Sequence, residues 1–227
     1  MTPEPRWGMS RRVWLGAAAM LGAGGMAARP AARGAAAGPT LPSDAAAERV
    51  DFESKGIEGW TTVHGQWAVE DMPGAPSGRR VLTQRATANQ FNVIVAPFGP
   101  YSDVDVSVKF KPIAGREDAS GGIVFRFTEG RYYVVRANAL ENNFRLYYYD
   151  RGRSQIASTE TTPPVLGGWH TIRLLAVGDR LQAWLDGAAH LDKRHSKLAL
   201  GKVGLWTKAD SITAFDDLDI RGVVGGR

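Results

Sequence analysis

The chain has 227 residues, 44% of them hydrophobic, no cysteine and a formal net charge of +5. That length suits one ordinary domain with appendages, and the missing cysteines exclude disulfides, thiolate metal sites, cysteine nucleophiles and a lipid-anchored cysteine. Of the 28 basic and 23 acidic residues, five and one fall within residues 1–43, leaving 23 and 22 in the remainder, so bulk charge gives no case for nucleic acid.

The N-terminus reads SRRVWLGAAAMLGAGGMAARPAARGAAAG. A twin arginine, Arg11–Arg12, precedes an uncharged stretch rich in Ala and Gly from Val13 to Ala28, followed by small residues. Charged, then apolar, then small is the layout of an export signal. Ser10 to Leu15 resembles the twin-arginine translocation motif, with Trp14 where Phe is common. Residues 1–37 are therefore expected to be a twin-arginine-type signal with its cleavage region, and residues 38–47 an Ala/Gly/Pro-rich linker. The mature protein is expected in the periplasm or secreted, with no stable membrane anchor after cleavage.

From residue 48 the hydrophobic period is 2. Val104, Val106, Val108 and Phe110 alternate with Asp105, Ser107 and Lys109. The same alternation runs through Ile123–Phe127, Phe144–Tyr148, His170–Ala176 and Leu181–Leu185. Such runs are half-buried strands. Between them stand Glu129-Gly130, Asn142-Asn143, Arg151-Gly152, Gly178-Asp179 and Asp186-Gly187, pairs that accept tight turns. Ala86–Ala96 is the nearest thing to a helical stretch, and its β-branched Val93-Ile94-Val95 argues against one. The pattern predicts an all-β jelly-roll sandwich of two antiparallel sheets over residues 48–227, with roughly ten to twelve strands.

Three stretches carry a resemblance: Gly121–Asp150, Gly167–Gly187 and Gly201–Ile220. They resemble the strands of the concanavalin A-like lectin/glucanase superfamily, and most nearly the 3-keto-disaccharide hydrolase family. The shared pattern is a Trp-His strand start (Trp169-His170), a strand ending in Asp186-Gly187, the run Gly201-Lys-Val-Gly-Leu205, and a final Phe215-x-x-Leu218 strand. The resemblance implies a concanavalin A-like jelly roll whose concave sheet holds a glycan. It also implies that hydrolysis of a 3-keto-disaccharide is an alternative to plain binding. A third reading is a cell-envelope interaction domain with no sugar ligand.

The residues themselves carry no catalytic motif. Paired same-face carboxylates are what a retaining glucanase needs. Glu70-Asp71 and Glu117-Asp118 are adjacent, and neighbours in a strand point to opposite faces. The four His lack metal spacing, and His170 reads as a satisfied histidine of the core alternation. A catalytic role is left open.

A binding face is better marked. Taking the non-core parity of the meander, one face collects Arg126, Arg136, Asn138, Arg145, Tyr147 and Tyr149. Aromatic rings present flat faces to sugar C–H surfaces, and guanidinium or amide forks match sugar oxygens. The same parity in the closing strand puts Asp216 on the side of Leu218 and Ile220. With Asp51 and Glu53 it is a candidate set for a structural Ca²⁺ where first and last strands meet. Otherwise Asp216 accepts backbone N–H groups at a bulge.

Overall fold

The computed structural model describes residues 39–225. The proposed signal, residues 1–37, lies outside them. Among the described residues there are fifteen strands: β1 (Ala46–Val50), β2 (Thr61–His64), β3 (Trp67–Asp71), β4 (Arg80–Gln84), β5 (Phe91–Val95), β6 (Tyr101–Ala114), β7 (Ser120–Thr128), β8 (Arg131–Asn138), β9 (Asn143–Tyr149), β10 (Arg153–Glu160), β11 (His170–Val177), β12 (Arg180–Leu185), β13 (Ala188–Arg194), β14 (Lys202–Lys208) and β15 (Ile212–Val224). They form two antiparallel sheets. One has eight strands in the order β13-β12-β11-β6-β15-β4-β3, with β1 also on β15; the other has seven, in the order β10-β9-β8-β7-β14-β5-β2.

The sandwich is an all-β jelly roll, as the alternation predicts. There are more strands than the pattern shows because β1, β2 and β3 are short and half-exposed, with no clean run of apolar residues to mark them. The turn pairs behave as read. Asp186 and Gly187 have φ of 49° and 81° between β12 and β13, the two left-handed residues that match the twist of a tight hairpin.

Between the sheets lies one apolar core: Val104, Val106, Val108 and Phe110 from β6, Ile123 and Phe125 from β7, Ile172 and Leu174 from β11, Phe215, Leu218 and Ile220 from β15. Trp67 is 9% exposed and packs on Phe215 at 5.9 Å, while Trp60 packs on Phe52 at 6.0 Å. The two early tryptophans thus close one margin of the sandwich. Gly204 is required by packing: a Cβ there would stand 2.3 Å from the carbonyl oxygen of Ile94 on the neighbouring β5.

The closing strand breaks its own period. Opposite β6, Asp216 pairs with Lys109 and Asp219 with Ser107, so one extra residue is inserted. Asp217 sits in it with φ of 46°. Such a bulge reverses the facing of everything beyond it. Phe215 and Leu218 therefore both point into the core, and Asp216 points to the other side, away from Leu218 and Ile220. This corrects the simple parity reading of Asp216. It is nevertheless fully buried, because the 72–79 loop folds over it. Its two oxygens accept hydrogen bonds from the N–H (2.9 Å) and hydroxyl (2.9 Å) of Ser77 and from the N–H of Asp217 (2.7 Å).

Glu53 grips the same loop from another direction, its Oε1 accepting the N–H groups of Arg79 (2.8 Å) and Arg80 (2.6 Å). Asp51 in turn accepts the N–H of Glu53 at 3.1 Å. Of the three carboxylates named as a calcium set, Glu53 and Asp216 thus hold this loop and Asp51 holds Glu53, with protein donors on their oxygens. Among the described residues no group of three or more His, Asp or Glu is arranged to hold a metal ion. The set does not fit an ion cage; it fits a loop clamp.

Candidate functional site: an aromatic trough on the seven-stranded sheet

The outer face of the seven-stranded sheet is not a wet face. It carries a second apolar cluster, Val93, Val95, Val124, Tyr132, Val134, Tyr147 and Trp206, flanked by Val63, Phe91, Phe127 and Tyr149. Strand β8 is buried on both faces from Tyr132 to Asn138. Curvature explains this. Phe91 on β5 and Tyr149 on β9 are four strand steps apart in the sheet order, about 19 Å across a flat sheet. Their rings meet edge-on with centroids 5.7 Å apart. The sheet is curled until its two flanks touch over the middle strands β8, β7 and β14.

The flanks are aromatic. Phe91 stacks on Trp206 at 5.6 Å, Tyr149 on Tyr132 at 4.9 Å and Tyr132 on Phe127 at 6.0 Å. Arg153, on the edge strand β10, reaches across with its guanidinium carbon 4.5 Å from the Tyr147 centroid and 5.4 Å from that of Phe91. Beside this contact a cleft of about 500 Å³ opens, lined by Phe91, Phe127, Tyr132, Tyr149 and His64, with Glu129, Arg131, Asp150 and Arg151 at its mouth. A second cleft of about 470 Å³ shares Phe127 and Glu129 with it and continues past Thr61, Leu200 and Lys202. Volumes of this size suit small-molecule sites.

The other end of the trough is polar. Arg136 is 2% exposed. One of its terminal nitrogens donates to Glu141 at 2.8 Å, and the other, Nη1, is buried without a partner. Its guanidinium also lies 6.0 Å from the Tyr147 centroid. Arg145 donates to the Tyr147 hydroxyl at 3.2 Å and stands 3.5 Å from Glu141. Asn143 donates to Glu141 at 2.9 Å. Burial alone would push the Glu141 carboxyl up, but the bonds from Arg136 and Asn143 and the two guanidinium charges hold it below its ordinary range. It is thus an ionised acceptor at neutral pH. The bond to Tyr147 raises Arg145 further. Burial pushes the Tyr132 phenol well up, with the Trp206 N–H beside it working in the opposite direction.

Of the six residues expected on this face, Arg136, Arg145, Tyr147 and Tyr149 are brought together. Asn138 stands at the end of the trough in a structural role: its Oδ1 accepts the N–H groups of Ala119 and Leu140 at 3.2 and 2.9 Å. Arg126 is a correction. A bulge between Phe125 and Thr128, with Arg126 at φ 51°, swaps the facing of β7 beyond Phe125. Phe127, expected in the core, enters the trough. Arg126, 2% exposed, donates instead to the carbonyls of Ser102 (2.9 Å), Gly178 (2.6 Å) and Leu198 (2.9 Å) at one end of the sandwich. That desolvation lowers its pKa.

Trp206, Phe91, Arg153 and Glu141 also belong to the trough and are not among the residues that strand parity of the meander picks out. Trp206 was findable: Val203 and Leu205 are core, so the residue after Leu205 must face outward. Phe91 and Arg153 belong to the site only through curvature, and Glu141 sits in a hairpin loop, where strand parity says nothing.

His170 lies on the other sheet. Its Nδ1 is 2.8 Å from Asp186 and its Nε2 accepts the Val165 N–H at 2.8 Å. Its ring packs against Phe110 at 5.8 Å. It ties the 161–169 loop to the β12–β13 turn.

Comparison with known proteins gives three kinds of match. A family model described as "3-keto-alpha-glucoside-1,2-lyase-like domain" matches residues 48–221. A levanase of Bacillus subtilis strain 168 is 23% identical over 153 residues, 66% of this chain, and the chain spans only 21% of that enzyme's length. Among solved structures, the carbohydrate-binding module CBM66 from Bacillus subtilis superposes with a TM-score of 0.62 at 22% identity, covering 72% of this chain and 96% of the module. A Bacillus subtilis protein of unknown function with a galectin-like fold gives 0.58 at 12% identity, covering 79% and 96%. These structural likenesses show the fold.

Proposed function

The chain belongs to the family of 3-keto-alpha-glucoside-1,2-lyase-like domains, and from that premise we propose that it is an exported domain that binds carbohydrate in the trough of the seven-stranded sheet. The observation that carries this reading is the trough itself: stacked aromatic rings beside a buried Arg–Glu–Asn group with hydrogen-bonding capacity left over. Rings supply flat apolar contact for a sugar ring, and fixed forks read its oxygens. A carbohydrate-binding module of the same fold supports it.

The family description names a lyase, and the relative named a levanase is matched over only 21% of its length. A hydrolytic role for this chain is the second reading. Glu141 argues for binding over general acid catalysis, because a general acid needs a raised pKa and that of Glu141 is lowered. The test is a glycan array probed with the intact protein and with Arg145→Ala. The binding reading expects retention by the wild type and at least about a tenfold loss in the variant, since removing one charged hydrogen-bonding partner costs roughly 1.5–3 kcal/mol. Equal retention by both would remove the trough as the site. Turnover of arrayed sugars would instead favour the hydrolase.

Export rests on the order of residues 10–28. Arg11→Lys with Arg12→Lys should leave the folded protein in the cytoplasm of a host with a twin-arginine pathway. Undiminished export of that variant would exclude this route.

A further inference from the structure

Tyr147 is the meeting point of three guanidinium groups. Arg153 and Arg136 lie 4.5 and 6.0 Å from its ring centroid, and Arg145 donates to its hydroxyl. They come from three strands, β10, β8 and β9, so the gathering is a product of the fold. Against these three cations the trough supplies one carboxylate held in contact, Glu141, which pairs with Arg136 at 2.8 Å and Arg145 at 3.5 Å. Arg153 makes no ion pair among the described residues. Arg136, almost wholly buried, keeps one terminal nitrogen, Nη1, without an acceptor. Nearby, Trp206, whose indole N–H lies beside the Tyr132 phenol, stands in register with Gly122 and Arg136 across β14, β7 and β8.

A buried N–H of a cation without an acceptor is costly. Arg136 Nη1 is a donor left over, Asn143 Oδ1 beside Glu141 is an acceptor left over, and the excess charge is positive. A neutral sugar hydroxyl both donates and accepts, and needs no such excess. A carboxylate only accepts, and its planar oxygens match a guanidinium fork. Resting on the glycan reading above, we propose that the ligand is an acidic glycan. The carboxylate of a uronic acid residue is seated against Arg136 Nη1 and Arg145, and Arg153 lifts from the Tyr147 ring to cover it. The neighbouring sugar rings then lie along Tyr149, Tyr132 and Phe127.

The test is titration calorimetry of the intact protein with tri-galacturonate, with its methyl ester, which keeps the sugar skeleton and removes the charge, and with a sulfated oligosaccharide of equal length. The expected result is binding of the acid at least about tenfold tighter than the ester, the equivalent of one charge-assisted contact. It should weaken as salt rises from low to several hundred millimolar. Arg153→Ala should lose about three- to tenfold for the acid, and the acid-to-ester affinity ratio should fall with it. Because Arg153 is exposed, that variant leaves the buried Arg136–Glu141 pair untouched. Equal affinity for acid and ester would overturn the carboxylate seat while the glycan reading stands. Equal affinity for the sulfated sugar would reduce it to a general basic patch and also overturn it. If neither these sugars nor the array sugars bind, the glycan reading fails and takes this one with it.

Discussion

Tyr147→Ala is expected to weaken glycan binding about a hundredfold. Aromatic anchors at the desolvated centre of a site commonly contribute 2 kcal/mol or more, and each 1.4 kcal/mol is a factor of ten. Tyr147 is 2% exposed and organises its neighbours as well as offering a ring. Without it Arg145 loses its hydroxyl partner, and Arg136 and Arg153 lose the face they stack on. Removing so much buried area also destabilises the trough, by about 3–5 kcal/mol on the scale of buried aromatic deletions. Tyr147→Phe separates the two effects. It keeps the ring, the packing and both cation–π contacts, and removes only the bond from Arg145. It should fold as the wild type does and bind about threefold more weakly, a loss of less than 1 kcal/mol. Loss of binding by the alanine variant with a near-normal phenylalanine variant assigns the ring. Normal binding by a folded alanine variant would show that the ligand sits elsewhere.

The second large effect concerns the frame. Asp216→Ala should destabilise the domain by about 2–4 kcal/mol, because it strands the N–H and hydroxyl of Ser77 and the N–H of Asp217 under a loop. Desolvation raises the pKa of Asp216, the bonds from Ser77 and Asp217 acting against it and the charge of Asp217 adding to it. The sign follows from linkage: a carboxyl whose folded pKa lies above its unfolded value stabilises the fold when protonated, and that contribution is lost as pH rises through the folded pKa. Asp216→Asn keeps one acceptor and carries no charge. It should cost less than alanine and should flatten this part of the pH profile. Denaturant melts of the three proteins from pH 3 to 8 read both effects. An alanine variant as stable as the wild type would mean that Ser77 and its loop contribute nothing to the closure of β15.

How much of this was legible in the residues depends on where the period held. Val104 to Phe110 alternates without interruption, and β6 lies where the pattern puts it. The Asp186-Gly187 turn was readable because it needs two left-handed residues in succession. Two bulges defeated the same reasoning. At Arg126 and at Asp217 a residue other than glycine takes positive φ, at a cost that the local contacts offset. Nothing in FRF or DDLD announces the insertion. Parity carried past these points sent Arg126 to the trough, Phe127 to the core and Asp216 to the apolar side. The trough itself was half legible. Arg136, Arg145, Tyr147 and Tyr149 share a face by parity alone, but Phe91 and Arg153 reach them only because the sheet curls through four or five strand steps. Curvature is a property of the whole sheet, and no single strand encodes it.

The most direct test of the trough as the binding site is the map of backbone amide shifts when a retained glycan is titrated into the labelled protein. The trough predicts that the largest changes fall on β8, β9, β14 and β5, around Arg136, Arg145, Tyr147, Trp206 and Phe91, and that the eight-stranded sheet stays still. Changes centred on β11, β12 and β13, with β8 and β9 unmoved, would contradict it.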